Sequence, residues 1–114
     1  MLTGRMELEE KYINRIDRLL LDEPDYMDSF NVFMIADDKT AKTRLNYIEN
    51  VIRFIHYLKD SQKSMESITD FEKLSVENIR KYIVDDDKRV MMENGRISDS
   101  CKYLRYFSLN CFFN

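Results

Sequence analysis

Lys39-Thr40-Ala41-Lys42-Thr43-Arg44 places three cations and two hydroxyls within six residues. These side-chain types bind phosphate. An apolar repeat begins at Leu45, so the six residues form the first turn of a helix. The free backbone N–H groups of that turn also suit an anion. Cations there oppose the helix dipole at about 0.3–1 kcal/mol each, a cost that a bound phosphate offsets. Asn46, one turn on, has the amide geometry that pairs with an adenine edge in the major groove. A second stretch, "NGRISDSCKYLRYF", repeats the plan: Arg96, Ser98 and Ser100 at a helix start, then Lys102 and Arg105 on its flank. The two starts predict one basic edge on an otherwise acidic domain. Lys39, Thr40, Lys42, Thr43, Arg44, Asn46, Arg96, Ser98, Ser100, Lys102 and Arg105 are the candidate DNA-binding residues. The plain alternative is a pair of solvated helix ends with incidental lysines.

No catalytic set accompanies them. His56, the one histidine, falls on a polar helix face and reads as solvated, with no partner indicated. Asp85-Asp86-Asp87 point in different directions on a helix and read as a solvated helix end rather than a metal site. Two isolated glycines build no phosphate loop, and the cysteines lack zinc-ligand spacing. Cys101 and Cys111, ten apart in one helix, stand about 15 Å apart, too far for a disulfide. They read as reduced core thiols of a cytoplasmic protein. Tyr47, Tyr82, Tyr103 and Tyr106 read as packing residues. No cofactor is expected.

The elements that position the basic stretches are helical. Helix one spans about 7–21, with Leu8, Tyr12, Ile13, Ile16, Leu19 and Leu20 at spacings of three and four. Pro24 opens helix two, about 24–36, whose apolar set is Tyr26, Met27, Phe30, Phe33 and Met34. Helix three covers about 40–59. Leu45, Ile48, Ile52, Ile55 and Leu58 form its inner face; Lys42, Asn46, Glu49, Arg53, His56 and Asp60 form its outer face. A polar connection over 60–74 follows. Helix four begins after Ser75, in a capping box that Asn78 leaves incomplete. It extends to the mid-80s or to 93, with Val76, Ile79, Tyr82 and Ile83 inward, and Asn94-Gly95 is its terminator. Helix five starts near Ser98, with Cys101, Leu104, Phe107, Leu109 and Cys111 as its apolar side. No strand alternation and no repeat stand out. The fold class is all-α, a compact four- to five-helix bundle.

Composition agrees. The chain is 44% hydrophobic and 34% charged with two Gly and one Pro, which favours a folded helical domain over a disordered one. No apolar run approaches the roughly 20 residues of a membrane span, and the acidic amino terminus is not that of a signal peptide. The net charge of −3 is unevenly spread. Residues 1–38 balance to −6 and 61–95 to −2, while 39–60 reach +3 and 96–114 reach +2. Positive charge is gathered into the two segments singled out above.

Thr40-x-x-Thr43-x-x-x-Tyr47, continued by Ile48, Ile52, Phe54, Ile55 and Leu58, resembles the long helix of the amino-terminal SAM-like, or core-binding, domain of phage integrases (tyrosine recombinases). "SITDFEKLSVENIRKYI" resembles that family's linker and next helix. "RISDSCKYLRYFSLNCFF" resembles its last helix, with Cys101 where Thr is frequent. The resemblance covers about residues 24–114 in order, after an amino-terminal helix and connection over 1–23. It implies a fragment that holds one side of a core recombination site on double-stranded DNA, without the catalytic domain and not an enzyme by itself. It further implies a monomeric isolated domain that meets other recombinase subunits in a tetrameric synapse when full-length, in the cytoplasm of a bacterium or encoded by a phage. Two other functions stay open: a helical protein-interaction module without nucleic acid, and a small helix-turn-helix regulator, which the long 60–74 connection disfavours.

Overall fold

Local chemistry ends each helix where the sequence supplies a breaker. Thr40 Oγ1 accepts from the Thr43 N–H and caps α3 (Ala41–Asp60). Pro24 takes the position before α2 (Asp25–Ala36). The Ser75–Asn78 box before α4 (Val76–Asn94) is complete, contrary to expectation. The Asn78 N–H donates to Ser75 Oγ, and the Ser75 N–H donates to Asn78 Oδ1 at 2.8 Å. An amide one methylene shorter than Gln still spans that gap. Gly95, at φ 75°, closes α4 in the left-handed conformation that glycine adopts without strain. Ser98 Oγ then accepts from the Cys101 N–H and caps α5 (Asp99–Phe113). The chain is seen here as a computed structural model that describes residues 4–113, with side chains from residue 7. Residues 1–3 and 114, which the two expected segments include, lie outside it. With α1 (Gly4–Leu20) and a 3-10 helix over Ile68–Lys73, the described residues are all-helical and hold no strand.

α3 is the axis of the bundle, packed by α1, α2 and α5. It buries Leu45, Ile48, Val51, Ile52, Phe54, Ile55 and Leu58, a stripe wide enough to meet neighbours on several sides. Ile16 and Leu20 of α1, Met27, Phe30 and Met34 of α2, and Tyr82 of α4 complete the core. The peripheral helices bury narrower strips than their periodicity implies. Leu8, Ile13, Phe33, Val76, Ile83 and Phe107 were expected inward and are exposed. An edge helix has one neighbour, so the flanks of its apolar stripe meet water. α4 faces inward with Tyr82, Asp86 and Val90 instead.

The 60–74 connection is more than a polar link. Met65 is buried, and the Tyr26 hydroxyl donates to its carbonyl at 2.6 Å. The Ser67–Asp70 capping box starts the 3-10 helix. The Ser67 N–H holds the Asp70 carboxyl below its ordinary range, working against burial and aided by the Ser64 hydroxyl and Lys73. Phe71 then packs among the rings of Tyr26, Phe54, Phe112 and Phe113.

Three phenols report on this packing. Burial, then the Asp86 carboxylate, raise that of Tyr82. Burial, then the nearby Glu23 and Asp70 carboxylates, push Tyr26 up to about 12. Burial, then the hydrogen bond to Asp85, push Tyr57 up to about 12. A raised folded value means that the contribution of Tyr26 and Tyr57 to stability is complete below the ordinary phenol value of 10.0 and is lost as pH rises through about 12. Alkaline spectrophotometric titration of the native protein will show Tyr26, Tyr57 and Tyr82, three of its seven tyrosines, ionising late, together with unfolding. In strong denaturant all will ionise together. A single native transition at the ordinary value contradicts the packing described.

Candidate nucleic-acid interface

The structure answers the charge conflict at the start of α3 from within the chain. Ala41 N–H donates to Glu9 Oε1 of α1 at 3.2 Å, so a carboxylate 32 residues away sits at the positive end of the helix dipole. With Thr43 N–H taken by Thr40, part of the turn expected to receive an external anion is already occupied.

The cations of this turn divide by partner. Arg44 is half-buried and tied back: its Nε donates to Asn31 Oδ1 of α2 at 3.2 Å and its Nη1 to the Lys39 carbonyl at 3.0 Å. It clasps α2 and the α2–α3 turn onto α3, so it is not poised to read a base. Lys39 pairs with Asp37 at 3.2 Å and lies 5.8 Å from the centre of the Tyr47 ring. Thr43 and Asn46 are half-buried, while Thr40 and Lys42 are exposed. At the start of α5, Arg96, Ser98, Ser100 and Lys102 are all exposed.

Arg105 is not a surface residue. Its side chain is 8% exposed, with Nη1 donating to Asp86 Oδ2 at 2.9 Å and Nη2 facing Asp87 Oδ1 at 2.7 Å. Asp86, 3% exposed, also meets Arg53 of α3 at 3.4 Å and Arg89 at 3.1 Å. The expected solvated acidic helix end is therefore a mid-helix hub that joins α3, α4 and α5, while Asp85 accepts from the Tyr57 hydroxyl. The pattern held a signal for this. Asp86 continues the Ile79, Tyr82, Ile83, Val90 stripe, and Arg105 shares the inward arc of α5 with Cys101, Ser108 and Phe112. A charge on an apolar stripe needs a buried partner, and each supplies the other.

His56 also has a partner that the sequence reading lacked. Its Nε2 lies 2.8 Å from Oε1 of Glu23, whose side chain is 5% exposed. The two cysteines are free and half-buried. Cys111 packs against the core rather than within it.

The two basic starts do not make one edge. Lys39 and Tyr47 share a hollow with Phe107, Asn110 and Cys111, so the start of α3 lies beside the carboxy-terminal half of α5. Ser98 is some nine residues nearer the amino end of α5, about 13 Å along its axis. Two small basic patches thus stand apart, with exposed Tyr103, Tyr106 and Phe107 on the helix between them. Compared with known proteins, the chain matches no family model, no curated protein and no solved structure.

Proposed function

We propose that the chain is the DNA-holding, core-binding domain of a tyrosine recombinase, gripping duplex phosphates through Lys42 of α3 and through Arg96 and Lys102 of α5. One observation carries the reading. Lys42 of α3 and Arg96 and Lys102 of α5 are exposed and make no ion pair among the described residues, whereas Lys39, Arg44 and Arg105 are engaged within the fold. The order of helices and the resemblance of residues 24–114 to that domain support it further. Phosphate contacts of this kind fix position without reading sequence, which leaves Asn46 as the side chain for a base edge. Arg44 and Arg105, engaged inside the fold, are no part of this surface. Cleavage, strand exchange and assembly with other subunits belong, on this reading, to a parent protein with a catalytic domain.

Three exposed cations set the magnitude. Neutralising three phosphates gives a salt slope of about −2.7 and an affinity loss of roughly 40-fold between about 50 and 200 mM salt. Titration of a labelled duplex across that range will show it, and Lys102→Ala will lower the slope by about one. No binding to any duplex at low salt ends the DNA reading.

A protein-interaction module is the second reading, and a different feature favours it. Val84, Met91, Met92 and Ile97 line an open apolar hollow beside the end of α4, with Met92 88% exposed. Apolar surface gathered in this way marks interaction sites. Self-association abolished by Met92→Glu, without any DNA binding, supports this reading over the first.

A further inference from the structure

α5 turns two unlike faces outward and inward. Inward lie Arg105 and Ser108, with Cys101, Leu104, Leu109, Cys111 and Phe112 half-buried. Outward, every large hydrophobic side chain that is exposed is aromatic: Tyr103 at 62%, Tyr106 at 62%, Phe107 at 50%, and Phe113 at the end. Spacings of three and four put Tyr103, Tyr106 and Phe107 on one solvent-facing strip. Their rings are already ordered against one another. Tyr103 and Phe107 lie near-parallel, 25° apart at 6.3 Å, and Tyr106 meets Phe107 edge-on at 5.5 Å. Beyond Phe107 opens a hollow of about 260 Å³ lined by Phe33, Lys39, Tyr47, Asn110 and Asp37 among others. It is smaller than the roughly 300 Å³ or more of a drug-sized site, and it offers aromatic walls with amide and carboxylate groups at the rim.

We propose that this strip is a stacking platform for the unpaired bases of single-stranded DNA, with Tyr103 and Phe107 as the stacking faces and the hollow beside Phe107 as the seat of one base. It rests on the nucleic-acid reading above and extends it from duplex phosphates to unpaired bases. The aromatic type of the strip and the charges flanking it select this occupant. The exposed hollow at Val84, Met91, Met92 and Ile97 is aliphatic and methionine-rich. Planar rings in ordered array instead match the π-faces of bases and are tolerant of sequence. Exposed Arg96 and Lys102 stand toward the amino end of the strip, and Lys39, paired with Asp37, lines the hollow beside Phe107. Asp99 on α5, and Asp37 paired with Lys39, are the opposing charges in the neighbourhood. A backbone that follows α5 therefore starts on Arg96 and Lys102 and ends beside Lys39 while its bases lie on the rings.

The test compares three labelled probes on the whole chain: a blunt duplex, the same duplex with a single-stranded overhang, and the single strand alone. The overhang and the single strand will bind more tightly than the blunt duplex. Tyr103→Ala and Phe107→Ala will each weaken them by roughly 5- to 150-fold, the range for one stacked base, while Tyr103→Phe retains binding. Both sites are exposed, so the thermal melts should match that of the parent chain. If the blunt duplex binds but the variants bind the overhang and the single strand as the parent does, the platform is wrong and the duplex reading stands. If none of the three probes binds, both readings fall. Self-association that Tyr103→Ala abolishes, with single-strand affinity unchanged, would reassign the strip to a protein contact.

Discussion

Arg105→Ala will destabilise the fold by about 3–5 kcal/mol, the range for removing one partner of a buried ion pair. The guanidinium bridges Asp86 and Asp87 from α5, and Asp86 in turn holds Arg53 of α3 and Arg89 of α4. Removing it leaves a carboxylate that is 3% exposed without its shortest partner. A natural domain has only about 5–15 kcal/mol in total, so the loss is a large fraction of what holds α5 in place. Arg105→Lys will recover part of it, because an ammonium is a point charge and cannot span two carboxylates as the planar fork does. Lys102→Ala, three residues away on the exposed side of the same helix, will stay within about 0.5 kcal/mol. Denaturant melts of the three variants decide the matter. Equal, small losses at Arg105 and Lys102 would return Arg105 to the surface and to the candidate DNA contacts.

Phe54→Ala will cost about 3–5 kcal/mol by a different mechanism, the emptying of a packed aromatic site. Phe54 is 1% exposed. Its ring meets Tyr82 of α4 edge-on at 4.8 Å, Phe71 of the 3-10 helix at 6.5 Å and Phe113 of α5 at 6.2 Å. No single helix covers it, so the loss will loosen the 60–74 segment and the end of α5 as well as the centre of α3. Hydrogen exchange will show faster exchange in both segments, along with a lower denaturation midpoint. Phe107→Ala, at an exposed ring, will leave the midpoint nearly unchanged. If the two substitutions cost the same, the aromatic cluster around Phe71 is not the structural joint described.

Helix starts, helix stops and the central stripe of α3 were legible in the sequence. Each depends on residues within one or two turns: the Thr40 cap on Thr43, the Ser75 cap on the turn after it, Gly95 on the turn before it, and Leu45 through Leu58 on a period of 3.6. That Asn78 completes the Ser75 box was not legible. The gathering of charge into 39–60 and 96–114 was equally plain. What each charge does was not, because its partner lies on another element. Glu9 meets the start of α3 from 32 residues away, Glu23 meets His56 across 33, and Asp86 meets Arg105 across 19. Periodicity tells which arc of a helix is apolar but not how many neighbours cover it, so Phe33, Ile83 and Phe107 were read as core and lie in water. The sequence by itself determined the helices and the central axis, since those follow from local hydrogen bonding and amphipathic spacing. The tertiary structure alone decided which cations remain free, because burial and ion pairing are set by what packs opposite. It left Lys42, Arg96 and Lys102 exposed and drew Arg44 and Arg105 into the frame.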